Sequence, residues 1–339
     1  MTKVNSGDPG VQQIWDEEIF RDIQIASYFD KMKSSDGSKV IHEKMDLTKK
    51  AGETINFTMM YREDGSFLTS GTPIEGNEED FTTSAESITV AEYNFGMRFK
   101  NGIDAQRPVY DVDSETRRAL IQRAAERIDK KFFNALRATN TDVYYLVSGV
   151  FTNTPTLATA TAAVTSSDLI TPASITNLVA VNKVDRANGR IPITPMMIEG
   201  KPHLVLLAHP YQIADLKKDP TYHQARLYAE ARGKDNPIFS GAVGVWDGVI
   251  IHEHENVYKA ANASSVYYAQ AYLLGQQAIL CAIAKKPEII KQQFSYEQQT
   301  GYGYKSIWEC LKPQFTKPGE TSAKDFGSLC LVTALTNLK

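Results

Sequence analysis

The stretch Tyr110–Ala138, YDVDSETRRALIQRAAERIDKKFFNALRA, decides the fold because it predicts one uninterrupted helix. It contains no glycine or proline, and Asp113 and Ser114 are residue types that cap a helix start. Its apolar residues recur at helical spacing and form one face, made of Leu120, Ala124, Ile128, Phe132 and Ala135. At about 1.5 Å per residue, a helix over 114–138 is about 37 Å long, the width of a domain.

A long polar region, residues 47–99, precedes this helix. Its ends alternate polar and apolar residues as strands do, at Thr54–Thr58 and from Ser87 to Phe99. The segment between them, YREDGSFLTSGTPIEGNEEDFTTSAE at 61–86, shows little periodicity. A connection of that length is normally functional or mobile. The pattern predicts a long projecting hairpin.

The N-terminal region contains an amphipathic segment over residues 11–33. Trp15, Ile19 and Ile23 fall at helical spacing after the start signal Asp8-Pro9. Further apolar residues widen the face beyond one stripe, so two interpretations stand. The segment is either a helix packed on its own domain or an arm that covers a neighbouring molecule.

Downstream of the long helix, a Thr/Ala/Ser-rich tract at Thr152–Ser167 predicts a boundary or flexible loop. An α/β pattern follows. It predicts helices that begin at Pro172, extend over His209–Leu216 and extend from Pro220 to Gly233, and a buried strand at Pro202–Leu207. It also predicts a hairpin at Val243–Val257 that turns at Asp247-Gly248. The last part predicts strands at 267–274, 288–294, 304–311 and 329–335, with a short helix over 276–283. This order predicts a discontinuous α+β domain that encloses an inserted α/β lobe.

Composition narrows the class of protein. The 339 residues are 42% hydrophobic and 23% charged, as in a globular protein, and a net charge of −3 provides no polycationic field for nucleic acid. Cys281, Cys310 and Cys330 match no metal or redox spacing and suit free thiols in a reducing compartment. The first residues lack the apolar run of a signal peptide, and every apolar stretch is too short to cross a bilayer.

Candidate chemistry is sparse. His252 and His254 share a strand face and invite a metal hypothesis, but a third ligand is not evident nearby. Basic residues on the long helix are interleaved with Glu126 and Asp129, a pattern typical of a solvated face more than of a DNA site. Phosphate-binding loops and nucleophile elbows are not found in the sequence. We therefore predict no enzyme activity and no catalytic, cofactor-binding or metal-binding residues.

Several segments, taken in order, resemble the major capsid protein family of tailed bacteriophages typified by coliphage N-four. They are Trp15…Glu18-Ile19, Ser27-Tyr28-Phe29, Lys49–Phe57, Ile74–Glu79, Gln106-Arg107, His209–Gln212, Asn236–Gly241 and Asp247–Glu253. The resemblance extends over residues 11–311, most of the chain.

The resemblance implies an α+β fold of the Hong Kong 97 type. Residues 1–46 would form the N-terminal arm and 47–99 the extended loop. Residues 100–170 and 258–339 would form the peripheral domain, with a spine helix at 114–138. Residues 171–257 would form the axial domain.

The resemblance also implies a function. The chain would self-assemble into hexamers and pentamers of an icosahedral shell around the phage genome, without cofactor, membrane or small-molecule substrate. Its other partners would be scaffolding, portal and decoration proteins, with packaged DNA nearby, in a virion assembled in the host bacterial cytoplasm. The expected intersubunit contacts are Trp15 and Phe20 in the arm and Arg62, Glu75, Glu78, Glu79 and Asp80 in the loop. Two rival interpretations stay open: an encapsulin-like compartment shell and a cytosolic α/β enzyme.

Overall fold

The computed structural model describes residues 27–45, 52–60, 68–69, 74–75, 83–98, 112–138, 140–184, 192–198, 200–228, 242–294, 299–316 and 322–336. The helices are α1 (Val112–Arg137), α2 (Leu157–Ala163), α3 (Pro172–Val184), α4 (Pro210–Lys218) and α5 (Pro220–Tyr228), with a 3-10 turn at Asp30–Met32. The strands are β1 (Lys33–Ser34), β2 (Ile41–Lys44), β3 (Thr54–Met60), β4 (Thr83–Thr89), β5 (Ala91–Arg98), β6 (Val143–Val147), β7 (Val150–Thr154), β8 (Met196–Ile198), β9 (Lys201–Ala208), β10 (Ala242–Trp246), β11 (Val249–Glu253), β12 (Lys259–Ala261), β13 (Tyr267–Leu274), β14 (Ile279–Phe294), β15 (Gln299–Leu311), β16 (Gln314–Phe315), β17 (Lys324–Asp325) and β18 (Ser328–Ala334).

A five-stranded sheet of order β1-β2-β14-β15-β5 lies beside the long helix. Its centre is the antiparallel ribbon of β14 and β15. The apolar face of α1 packs on this sheet: Ala124 meets Tyr304, and the ring of Phe132 lies 5.9 Å from that of Trp308. Ala124 and Phe132 of the predicted apolar stripe therefore face this sheet, as expected.

A nine-stranded sheet forms the second layer, in the order β10-β11-β9-β13-β18-β6-β7 with β8 and β12 attached. In β9, Leu204 and Leu206 belong to the cluster that includes α3, α4 and α5, whereas Val205 and Leu207 belong to the cluster that includes α1. Both faces of this strand are buried, and for that reason it is apolar without alternation.

One apolar cluster joins the two sheets. It includes Ile279 and Trp308 from the five-stranded sheet, Val332 from the nine-stranded sheet, and Phe133 and Leu136 near the end of α1. The C-terminal half of α1 thus contributes to a core that both layers share. Among the described residues, no helix combines the length and apolar character needed to span a membrane.

The local predictions with the strongest signals are confirmed. The helix predicted at 114–138 extends over Val112–Arg137, and the strand, helix and turn signals at 202–216 and 243–253 correspond to β9, α4, β10 and β11. At the β10–β11 turn, Asp247 and Gly248 have φ of 47° and 75°, as the two central residues of a type I′ turn require. The helix from Pro220 is described to Tyr228, and its predicted end at Gly233 lies outside the described residues.

Three local predictions are wrong. The short helix predicted at 276–283 is the start of β14, which pairs in parallel with β2 and is buried on both faces. The predicted N-terminal helix does not continue through Ser27–Lys33, where the chain forms a turn, the 3-10 turn and the start of β1. The Thr/Ala/Ser-rich tract is not a loop: it forms the end of β7 and α2, and Ala160 and Val164 are buried in the main core.

The nine-stranded sheet crosses both positions at which the sequence analysis divided the domains. Strands β6 and β7 precede residue 171, and β13 and β18 follow residue 257, yet all four belong to the same sheet as β9 and β11. Hydrogen bonds of one sheet therefore connect strands from both predicted domains.

Candidate assembly surfaces

The hairpin predicted in the polar region is present in part, as a two-stranded sheet of β3 and β4. The predicted second limb, Ser87 to Phe99, is divided, because β5 leaves the hairpin and pairs with β15. Strands β3 and β4 pair from Thr54 opposite Thr89 to Met60 opposite Thr83. At its base, Ile55, Phe57 and Ile88 are 3%, 3% and 1% exposed and pack against Leu280 and Ala282 of β14. The hairpin therefore stands on the face of the five-stranded sheet opposite α1. Lys44 Nζ reinforces this base by donating to the Asn56 carbonyl oxygen at 3.0 Å.

Beyond its base the hairpin is polar and largely exposed. In β4, exposed and half-buried residues alternate until Ile88, the one buried residue of that strand. Burial raises the pKa of the half-buried Glu86 carboxyl, which lies opposite Phe57. In the segment between β3 and β4, Ile74 is 71% exposed, and the predicted contact residue Glu75 is also exposed.

The other predicted contact residues lie outside the described part of the chain. They are Trp15, Phe20, Arg62, Glu78, Glu79 and Asp80. Their roles stay predictions.

The N-terminal segment is attached to α1 by hydrogen bonds and ring packing. We call this group of residues the arm root: Ser27, Tyr28, Phe29 and Asp129. The Ser27 hydroxyl and the Tyr28 backbone N–H donate to the two carboxylate oxygens of Asp129, at 2.6 and 2.9 Å. Phe29 is fully buried, with its ring 5.1 Å from that of Phe133. The sequence analysis assigned Asp129 to the solvated face of the helix, which is wrong, since it is 6% exposed. A buried carboxylate needs hydrogen-bond donors, and the arm supplies two.

The two histidines considered as metal ligands pack around the arm root. The His254 ring lies 4.6 Å from the rings of both Tyr28 and Phe133, and its Nδ1 accepts from the Asn256 N–H at 3.1 Å. Burial lowers the pKa of His254, although the nearby carboxylates of Asp129 and Glu255 act to raise it. His252 is 3% exposed, so β11 does not present it at the surface. Within the described ranges, no group of three or more histidine, cysteine or acidic side chains is arranged to hold a metal ion.

Part of the basic surface of α1 is used within the chain. Lys131 Nζ lies 2.9 Å from a Glu309 carboxylate oxygen and 2.7 Å from the Tyr93 hydroxyl. Burial alone would lower the pKa of Lys131, but these two hydrogen bonds and the Glu309 charge raise it to about 12. The Arg127 guanidinium lies 4.2 Å from the centre of the Phe95 ring. These contacts fix the helix on its sheet.

A buried ion pair, missed by the sequence analysis, ties the end of α1 to the C-terminal strands. Lys312 Nζ lies 2.9 Å from an Asp325 carboxylate oxygen and also donates to the Asn140 side chain at 2.8 Å. Asp325 accepts further from the Thr141 N–H and from Gln314. Buried charges need such complete pairing. No sequence signal could have found it, because the partners are 11 to 184 positions apart.

These features together define a class of protein. A long helix lies on a sheet, a second sheet shares its core, a hairpin rises from the opposite face, and an N-terminal segment is anchored at the helix. This is the Hong Kong 97-type fold of viral shell subunits.

The chain belongs to the phage capsid protein family, whose model matches residues 4–335. It is 24% identical to the major capsid protein of Pseudomonas phage KPP25, over 95% of this chain and 94% of that protein. Its fold is similar to that of a chain in the capsid of Ralstonia phage GP4, with a TM-score of 0.78, 20% identity, and 100% and 99% of the two chains covered. The cyanophage Pam1 capsid gives a TM-score of 0.73 at 20% identity, with 92% and 93% covered. The chain is thus a structural capsid protein, a virion component that associates with further copies of itself.

Proposed function

We propose that this chain is a major capsid protein whose copies form hexamers and pentamers that close into an icosahedral shell around the phage genome. The observation that carries the proposal is the β3–β4 hairpin. Its base is packed on β14, but its strands continue beyond that base with polar, exposed residues. An isolated two-stranded hairpin is at best marginally stable in water. A surface on another copy would supply the missing support.

The arm root supports the same proposal on the α1 side of the five-stranded sheet. Two hydrogen bonds hold Ser27 and Tyr28 on α1, so the chain before them would start from a defined point. Trp15 and Phe20 in that segment would contact a neighbouring subunit. Each contact of this kind can be weak, because the shell multiplies it by the number of copies and closed symmetry leaves no free edge.

Charge complementarity would set the register between copies. The sequence of the loop contains Glu75, Glu78, Glu79 and Asp80 within six positions, and Arg62 nearer the start of the loop. On α1, the side chains of Arg118, Arg123 and Lys130 are exposed. We propose that the acidic residues meet basic side chains of this kind on the adjacent subunit, which would favour correct alignment more than raw affinity.

We propose a domain division that follows the sheets. The arm (1–46) and extended loop (47–99) are kept from the sequence analysis, except that β1, β2 and β5 would belong to the peripheral domain with the rest of the five-stranded sheet. The peripheral domain would consist of α1 and the five-stranded sheet. The axial domain, first placed at 171–257, would include the whole nine-stranded sheet, because β6, β7, β13 and β18 are hydrogen-bonded within it.

The proposal assigns the chain no catalytic residue. Two cavities between described residues have volumes of about 30 and 20 Å³, whereas small-molecule sites typically have about 300–1,000 Å³. The three cysteines are buried free thiols, which suits assembly in the reducing host cytoplasm. Scaffolding, portal and decoration proteins would be the further partners.

The test is assembly of the purified protein, with and without the scaffolding protein of the same phage. Analytical ultracentrifugation and negative-stain electron microscopy should show capsomers and uniform closed shells. Shells filled with DNA during infection support the proposal, whereas shells that package a protein cargo would favour an encapsulin-like compartment. A stable monomer under every assembly condition would contradict it.

A further inference from the structure

We propose that Cys281 and Cys310 are a latent disulfide, which closes when the folded subunit meets a small two-electron oxidant such as hydrogen peroxide. Both are free thiols and are 2% and 5% exposed. They lie directly opposite each other on the antiparallel strands β14 and β15, between the five-stranded sheet and α1. The proposal concerns the isolated subunit, so it does not depend on shell assembly.

The backbone hydrogen bonds show which kind of cross-strand pair this is. The Ile279 N–H donates to the Val40 carbonyl oxygen, toward β2, at 3.1 Å. Alternate residues of a strand direct their N–H groups to the same side, so the Cys281 N–H also points toward β2 and away from β15. On the opposite strand, the Cys310 N–H donates to a Glu309 carboxylate oxygen at 3.0 Å. Cys281 and Cys310 therefore form a non-hydrogen-bonded pair.

That geometry suits a disulfide. Cα atoms in a non-hydrogen-bonded antiparallel pair are about 4.5 Å apart, the closer of the two pair types. Disulfides form over Cα distances of about 4.4–6.8 Å. A pair of this type therefore falls within the Cα range of disulfides, at its short end. The third cysteine offers no such partner, because Cys330 on β18 lies opposite Tyr272 and Val143.

A narrow cleft gives an oxidant access to one of the two thiols. Cys281 lines a cavity of about 30 Å³ together with Lys33, Glu43 and Trp308, whereas Cys310 is not part of its wall. Such a volume holds one or two water-sized molecules, and hydrogen peroxide is of that size. Burial raises the pKa of both thiols, and the adjacent Cys310 raises that of Cys281 further. Oxidation should therefore be slow near neutral pH and faster in mild alkali.

The reaction has two steps. The Cys281 thiolate attacks one peroxide oxygen and the O–O bond breaks, which gives a sulfenic acid and a hydroxide that takes up the thiol proton to form water. The Cys310 sulfur then attacks the sulfenic sulfur, the S–S bond forms, and the S–O bond breaks as hydroxide leaves with the Cys310 proton as a second water. The two sulfurs lose two electrons in total, and the peroxide gains them. The new bond would fix the register of β14 on β15.

The test treats the reduced, purified full-length protein with hydrogen peroxide in mild alkali and alkylates the remaining thiols during unfolding. Mass spectrometry of a non-reduced digest should find a Cys281–Cys310 cross-linked peptide in monomeric protein, with Cys330 still alkylated. Met197, whose side chain is 63% exposed, serves as the internal control, and peroxide is raised until it is oxidised. Alkylated Cys281 and Cys310 beside oxidised Met197 would overturn the proposal, as would a disulfide that involves Cys330.

Two single variants test the order of the steps. In Cys310→Ser, unfolding in the presence of dimedone should capture a sulfenic acid at Cys281. In Cys281→Ser, Cys310 should remain a thiol at the same peroxide dose, because it does not line the cleft. Equal oxidation of Cys310 in the second variant would contradict the role of the cleft. The wild-type experiment decides the disulfide itself even if either variant folds poorly.

Discussion

Replacing Asp129 tests whether its hydrogen bonds attach the N-terminal segment to α1. In Asp129→Ala, the Ser27 hydroxyl and the Tyr28 N–H lose the acceptors that they reach at 2.6 and 2.9 Å. Leaving a buried donor unpaired costs about 1–3 kcal/mol each, so the free energy of unfolding should fall by about 2–6 kcal/mol. This is a large part of the roughly 5–15 kcal/mol that stabilises a typical domain.

Asp129→Asn is the matched control. Its carbonyl oxygen can accept from the Tyr28 N–H while its amide donates to the Ser27 oxygen, so both contacts persist without the charge. The neutral side chain is also cheaper to bury. We expect Asp129→Asn to lower the free energy of unfolding by less than about 1 kcal/mol, because only the charge assistance is lost.

Two measurements separate local from global effects. Urea unfolding followed by circular dichroism gives the free energy of unfolding of each variant. Tryptic cleavage under native conditions after Lys31, which is exposed just beyond the arm root, reports local release of this segment. Cleavage should accelerate in Asp129→Ala and stay close to wild type in Asp129→Asn. Equal destabilisation by both variants, or no effect of either, would refute the hydrogen-bond account of the arm root.

Three further predictions concern the core, the loop and acid stability. Phe132→Ala removes a 1% exposed ring from the shared core and should lower the free energy of unfolding, measured in urea, by about 3–5 kcal/mol. Lys130 is exposed, so Lys130→Ala should change this free energy by less than about 0.5 kcal/mol. Replacing 62–82 by a short Gly/Ser turn, which spares β4, should leave a soluble protein that circular dichroism shows to be folded. It should form no closed shells in the electron microscope, and normal shells would refute the role of the loop. Burial and then the Lys259 charge lower the pKa of His209 from 6.5 to about 4. The unfolded chain therefore binds a proton that the folded chain does not, and stability should fall by on the order of 2–3 kcal/mol from pH 6.5 to 4. His209→Asn keeps a helix-capping acceptor for the Tyr211 N–H. The variant should lose this part of the pH dependence of stability. An unchanged pH profile would contradict the assignment of that dependence to His209.

The elements that sequence reasoning predicted well are those whose signals are local. The stripe from Leu120 to Ala135 repeats at the helical period, and the Asp247-Gly248 pair favours one turn type. Both features depend on residues within a few positions of one another. The resemblance over residues 11–311 added the fold class and the family, which the structure and the comparisons confirm.

The helix predicted at 276–283 shows where local signals are ambiguous. Residues 278–283 are all buried, so the run contains neither the alternation of a half-exposed strand nor the stripe of a surface helix. A short, wholly apolar run cannot be assigned from periodicity alone. Its parallel pairing with β2, far away in sequence, makes it a strand.

The sequence by itself determined the long helix, the hairpin in the polar region, the globular composition and the resemblance to phage capsid proteins. Only the tertiary structure decided that Asp129 receives the arm, that Cys281 faces Cys310, and that one sheet crosses the predicted domain boundaries. The physical reason is range. Periodicity and turn chemistry act between residues close in the chain, whereas pairing register, burial and buried hydrogen bonds depend on which distant segments the completed core brings together.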